Sequence, residues 1–373
     1  MEAKKADVMI IGAGVIGCAI AYFLGKAGVK TVIIEKDSIG AHASGYAPGI
    51  LNPQVAIPEN VGIMLPMTTK SLQLHKELYE PLLEETGIDY DFHQSALLTL
   101  AFIETEANEI MNRVEILKRQ GYKINWLDGN AVRLIDNRIS DMVIGAAYSE
   151  EAGELDSYRY TLALAQAAEK YGAEICNGQF TGLKRKGTKL TAVQLSSGDI
   201  ACECVVLAMG PWAGLAASSL GFSIPVSPQK GQTLRVRASG SPFATMLAWN
   251  ANYNTTTRND ALIYHGATHE DAGFDEEPSS EGRDKLIGSL IAMVPSLVEA
   301  EIILQTACLR PLTPDGLPII GEIPEWDGVY LATGHWTKGI LLSPATAYMI
   351  TQLILGSLTS IQVEPFSIAR FLR

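Results

Sequence analysis

The chain has 373 residues, 47% hydrophobic and 19% charged, with a formal net charge of −12. This composition is globular and long enough for about two to three domains. The acidic balance excludes broad binding to nucleic acid or to anionic membranes.

Residues 7–36 read as a strand (DVMIIG), a glycine turn, a helix (VIGCAIAYFLGKAG) and a second strand (KTVIIEK). The turn is Gly12-Ala13-Gly14-Val15-Ile16-Gly17, and Glu35 follows Gly17 by 18 residues. Gly12 permits the sharp turn, Gly14 lets backbone approach a pyrophosphate, and Gly17 lets helix and strand pack closely. Helix N–H groups then face the phosphates, and Glu35 accepts from ribose hydroxyls. An acid at position 35 disfavours a 2′-phosphorylated dinucleotide and leaves NAD and FAD open. The stretch 8–25 is as long as a short membrane span, but its glycines break it. No small-residue cleavage pattern follows it, and the expectation is a soluble cytoplasmic protein.

The next segment, HASGYAPGILNPQ (42–54), is small and glycine-rich, suited to threading beside an extended cofactor. Further on, CECVVLAMGPWAG (202–214) reads as a buried strand ending in a glycine-proline turn. DALIYHGATHE (260–270) reads as a strand entering a turn, and 288–309 as a helix followed by a strand. Arg310 then stands between an apolar run and the turn-formers Pro311, Pro314, Gly316 and Pro318. Arginine is seldom buried unless paired. It pairs either with a ligand anion or with an internal acid such as Asp315. In GHWTKGILLSPATA (334–347), Ser343-Pro344 predicts a helix start, serine as N-cap and proline at the first helical position.

The five cysteines, Cys18, Cys176, Cys202, Cys204 and Cys308, have no CxxC or Cys/His ligand spacing. An odd, scattered set fits a reducing compartment, and no metal site is expected.

The pieces IGAGVIG…IIEK, ASGYAPGI, VVLAMGPWAG and LRPLTPDGLPIIG…GVYLATGHWTKGILLSPATA occur in one order along nearly the whole chain. Together they resemble the D-amino-acid oxidase/glycine oxidase superfamily of FAD-dependent amine oxidoreductases, nearest to its glycine oxidase and sarcosine oxidase-like members. The resemblance implies an α/β fold, α+β overall. A Rossmann-like FAD-binding domain (1–85, 151–225 and 308–373) carries a second, substrate domain (86–150 and 226–307) built on an antiparallel sheet.

The same resemblance implies FAD as cofactor, held by Gly12, Gly14, Val15, Ile16, Gly17, Glu35, Lys36, Ala43, Ser44, Gly49, Phe180, Ala208, Gly210, Trp212, Cys308, Gly334, His335, Thr337, Lys338, Gly339 and Ile340. Phe180 would face the adenine through its main chain. Arg310 would grip the substrate carboxylate with its planar fork, and Tyr253 would stand against the same carboxylate. Cys308 matches the position at which sarcosine oxidases attach the flavin covalently. Glycine oxidases typically read GHFRNG where this chain has His335-Trp336-Thr337-Lys338-Gly339, so Thr337 replaces an arginine and glycine itself is a weaker expectation as substrate. His265 and His335 are expected near the pocket without a catalytic role.

The implied reaction removes hydride from the α-carbon of a small amino acid or amine, leaving an imine that water hydrolyses. Electrons then go to oxygen or to another acceptor. The alternatives are a dehydrogenase, as a flavin subunit serving a quinone or protein carrier in a hetero-complex, and a non-catalytic FAD-binding component. A homo-oligomer is compatible with each.

Overall fold

The computed structural model describes residues 6–54, 57–250 and 253–372. Two large sheets organise them. The first has six strands, in the order Ile319–Glu322, Val329–Thr333, Val205–Leu207, Val8–Ile11, Thr31–Glu35 and Glu174–Asn177. Val329–Thr333 and the four strands after it run parallel, and Ile319–Glu322 is an antiparallel edge. The central sequences VMII, VVL and VYLAT are buried along their whole length. Such continuous apolar runs are what a parallel sheet covered on both faces requires.

One face is covered by the helices Val15–Lys26, Ser157–Lys170 and Gly339–Ile354, which pack on one another. The other carries a three-stranded antiparallel sheet, Phe180–Lys186, Lys189–Leu195 and Gly198–Ala201. It closes a second apolar cluster that includes Phe180, Val205, Leu207 and Leu331.

The second large sheet has nine strands. Along its main path lie Glu301–Leu312, Ser227–Arg237, Ile263–Gly266, Tyr253–Thr257, Met246–Trp249, His93–Ala101, Gly145–Glu154 and Ile50–Leu51, and Ile124–Asp128 pairs with Gly145–Glu154 off that path. All neighbours are antiparallel except Met246–Trp249 and His93–Ala101, which run parallel. The expected antiparallel sheet therefore contains one parallel joint. Its edge strand Glu301–Leu312 is continuous, so the expected domain cut before residue 308 falls inside a strand. Similarly, Ile50–Leu51 and the last residues of Gly145–Glu154 belong to this sheet rather than to the first.

The carboxy-terminal helix begins at Gly339, not at Ser343, and Pro344 lies inside it. Proline cannot donate to the carbonyl four residues earlier. That carbonyl, of Ile340, accepts instead from Ser343 Oγ at 2.9 Å and contacts His75 Nε2 at 3.0 Å. His75 comes from the long helix Val61–Thr86, and its neighbour Ser71 donates to Leu341 O at 2.5 Å. Side chains from a second helix thus replace what the proline removes. Among the described residues no helix is long and apolar enough to cross a membrane.

Candidate active site

The first strand stops at Gly12, whose φ of +108° lies in the region that favours glycine. A Cβ there would come within 2.5 Å of Ala208 O, and one on Gly17 within 1.9 Å of Gly12 O. The turn can therefore be close-packed only as backbone. Val15 N–H, at the helix start, donates to Ser44 Oγ at 2.9 Å. Glu35 accepts from Ala13 N–H at 2.7 Å and from Asp37 N–H at 2.9 Å, so its carboxylate braces the turn from the end of the second strand.

From this turn a cavity of about 420 Å³ extends to the edge of the nine-stranded sheet. Of the residues anticipated for the cofactor, Gly12, Gly14, Val15, Ile16, Glu35, Lys36, Ala43, Ser44, Phe180, Ala208, Gly210, Trp212, Cys308, His335, Thr337, Gly339 and Ile340 line it. Lys36 Nζ lies 4.2 Å from the Trp212 ring centre, and the His42 ring packs on the same indole at 4.5 Å. His42 is also within hydrogen-bond reach of Asp37 at 2.8 Å and Glu276 at 3.1 Å, which joins the two large sheets across the cavity rim.

The far end is built by cross-strand register. Gln229 stands opposite Arg310, and Gly231 opposite Cys308. A Cβ on Gly231 would come within 2.1 Å of Arg310 Nη2, so the missing side chain is what seats the guanidinium. Arg310 is 9% exposed and lines the cavity. Its Nη1 reaches Gln229 Oε1 at a long 3.5 Å. Burial pulls its pKa below the usual arginine value, yet a guanidinium keeps its charge in proteins. Among the described residues no carboxylate stands within ion-pair distance of it. Asp315 is held instead by Arg370, at 2.7 and 3.2 Å. The internal pairing with Asp315 weighed for Arg310 is absent, and Arg310 lines the cavity.

The helix Gly339–Ile354 aims its first turn at the same space, where Gly339 and Ile340 line the wall. His335 lines it too, bonded to Thr346 Oγ1 at 2.9 Å, and burial holds its pKa down at about 3, so the ring is neutral. Burial pushes the Cys308 thiol up, which disfavours the thiolate.

Six anticipated residues lie elsewhere. Gly17 packs the helix on the strand, as its spacing indicated, and does not line the cavity. Gly49 (φ +73°) abuts Leu155 O, where a Cβ would come within 1.9 Å. Gly334 (φ +76°) makes room for Thr313. Lys338 turns away from the cavity and donates to Asn52 O at 2.9 Å and Gln54 O at 2.7 Å. Tyr253 stacks on His265 at 5.8 Å, in the apolar cluster beneath the helix Ser280–Met293. Alternate residues of a strand face opposite ways. Thr255, on the Tyr253 face, reaches His265, whereas Thr256 on the other face bonds Glu154. His265 is accordingly a core residue, bonded to Thr255 and Ser289, and no part of the cavity.

Sequence reasoning missed Gln229, Gly231, Trp336 and His269. Trp336 Nε1 donates to Gln229 Oε1 at 2.6 Å, and His269 meets the Trp336 ring edge-on at 5.8 Å. Burial, then the Arg310 charge, holds His269 down at about 4. The glycine inside SPQKGQTLRV was a readable signal, because glycine in a strand marks a close approach.

The backbone-only turn brings main chain to the cavity wall at a helix N-terminus, a setting fitted to the pyrophosphate of FAD. Known proteins agree with this geometry. The chain is 33% identical over 370 residues to glycine oxidase of Geobacillus kaustophilus, covering 98% of this chain and 97% of that one. The crystal structure of glycine oxidase from the same organism superposes with a TM-score of 0.94 at 31% identity, covering 98% of both chains. L-proline dehydrogenase from P. horikoshii has a TM-score of 0.90 at 25% identity, over 99% of this chain and 98% of that one. The family model described as FAD dependent oxidoreductase matches residues 7–353, and the chain belongs to that family of FAD-dependent oxidoreductases.

Proposed function

We propose that the protein oxidises the C–N bond of a small amino acid or amine carboxylate, in the manner of glycine oxidase. One observation carries this reading: a buried guanidinium with no carboxylate at ion-pair distance among the described residues, Glu270 acting on it only from farther off, lines the cavity whose other end is the FAD turn. Bound FAD supplies the two-electron acceptor that amine oxidation needs.

The protein's own contribution is position and field. Arg310 binds the carboxylate through two parallel N–H donors, and its burial strengthens the pair. Holding the carboxylate there fixes the α-carbon relative to the cavity walls. The helix Gly339–Ile354 turns its N-terminus, with its partial positive charge, toward the same space, suited to developing negative charge. His335 stays neutral and adds no competing cation beside Arg310. The neutral substrate amine loses its α-hydrogen with two electrons, as a hydride equivalent, and one N–H proton to solvent, and so becomes an imine. Water then adds to the imine carbon, releasing the carbonyl product and ammonia or an amine.

An anaerobic titration of the yellow holoprotein with glycine, sarcosine, proline and D-amino acids tests the reading. At least one should bleach the flavin absorbance; if none does, amine oxidation is the wrong activity. A second reading keeps the site and passes electrons to a quinone or protein carrier, favoured by the likeness to L-proline dehydrogenase. Oxygen uptake with peroxide formation on adding the active substrate supports the oxidase and removes the dehydrogenase.

A further inference from the structure

Side chains on one face of the strand pair Ser227–Arg237 and Glu301–Leu312 form a short series. Gly231 and Cys308 flank the main cavity, Gln229 and Arg310 come next, and Ser227 and Leu312 follow. Beyond Leu312 lies a second cavity of about 430 Å³, walled by Ile57, Ile224, Val226, Leu312 and Pro314. Trp336 lines both cavities. Its indole sits at the Gln229–Arg310 step, latched by the 2.6 Å bond from Nε1 to Gln229 Oε1.

The backbone at Trp336 has φ +47°, an uncommon conformation for a bulky residue. A large ring held there by a dedicated hydrogen bond needs a reason, and outliers of this kind cluster where ligands are clamped. Here the ring forms the partition between a chamber fitted to a carboxylate and a pocket whose walls are mainly apolar, with Ser227 and Thr313 among them.

We infer that Trp336 is the specificity gate of the site. With the indole latched on Gln229, a ligand anchored by Arg310 has room for a small side chain only; with the ring removed, the apolar pocket accepts a branched aliphatic one. This inference rests on Arg310 binding carboxylates, as proposed above, and its test separates the two.

The probes are acetate and 4-methylpentanoate, which carry no amine and report binding alone through the visible absorbance of the FAD-loaded protein. Wild type should bind acetate and hold 4-methylpentanoate at least about tenfold more weakly. In Trp336→Ala, burial of the isobutyl group in the opened pocket should tighten 4-methylpentanoate about tenfold or more. Acetate affinity serves as the reference within each variant: it reaches Arg310 but not the opened pocket, so the ratio of the two affinities reads the gate even where loss of the Gln229 bond shifts both. Trp336→Phe keeps a ring but loses the latch, and should give an intermediate gain. An unchanged ratio of the two affinities in Trp336→Ala overturns the gate, as does a wild type that binds both probes equally. Should Trp336→Ala fail to retain FAD, Trp336→Phe decides, and an unchanged ratio there overturns the gate. A wild type indifferent to acetate overturns the Arg310 reading itself, whereas failure of the gate alone leaves acetate binding intact.

Discussion

The two ends of the cavity are built in opposite ways. At the nucleotide end, residues 12–17, 35 and 44 come from one local strand–turn–helix–strand unit and its following loop. Most of their contacts are made by backbone. At the end proposed to hold the carboxylate, Gln229, Gly231, Arg310 and Trp336 come from two strands and a turn far apart in sequence, and the contacts are made by side chains. A backbone site tolerates almost any side chain that stays out of the way. A side-chain site depends on register across the sheet.

That contrast is most open to attack at Gly12. Alanine there meets both the positive φ and the 2.5 Å approach to Ala208 O. Strain and overpacking together cost about 4 kcal/mol, roughly a thousandfold in FAD affinity if the turn must deform. Gly12→Ala should therefore purify colourless and fail to take up FAD in a fluorescence titration. Retention of normal affinity would mean the turn is not the cofactor's seat.

The next largest effect belongs to the other end. Arg310→Ala should keep its FAD and lose about 2–5 kcal/mol of substrate binding, read as a rise in KM with far less change in flavin content. An unaltered KM would return Arg310 to a structural role and erase the distinction between the ends.

The same contrast explains what could be read in the chain before its structure. Gly12, Gly14, Gly17 and Glu35 serve one local motif whose spacing carries its meaning, so fold and cofactor end were both legible. The turn-formers after Arg310 singled it out, and the resemblance of the motif around it, not its local spacing, suggested the carboxylate role proposed above. Tyr253 was misplaced because the face of a strand depends on its neighbours' register, and a one-residue ambiguity turns a side chain to the opposite side. Gln229 and Trp336 meet across 107 positions, and nothing in either local sequence announces the other. Ser343-Pro344 was misread as a helix start, because the Ile340 carbonyl that the proline leaves free is served by Ser343 Oγ and by His75 from another helix. The helix therefore starts one turn earlier.

Gly231 tests whether register alone sets the carboxylate end. In Gly231→Ala the new methyl would fall within 2.1 Å of Arg310 Nη2, and the flexible end of that side chain has to move. A displacement of this kind costs about 1–3 kcal/mol in a packed site. KM should rise while FAD affinity remains that of wild type, a smaller copy of the Arg310→Ala result. If FAD affinity falls in parallel, the two ends are not independent.

The smallest effect sharpens the comparison between two cations of the carboxylate region. Arg310 has a fork without an acid, whereas Lys338 is committed to the carbonyls of Asn52 and Gln54. Burial lowers Lys338 from its ordinary 10.5 to about 8, so the folded protein binds fewer protons than the unfolded chain between those values. Stability from this group therefore rises with pH across that window, and the cost of burying the ammonium is fully present below it. In Lys338→Met this term disappears. Thermal unfolding of both proteins from pH 8 to pH 10 should show wild type gaining on the variant as pH increases, with substrate KM altered by less than about threefold. A parallel pH dependence would mean that the lysine keeps its ordinary affinity for protons, and a large KM change would place its charge on the substrate rather than on the loop at 52–54.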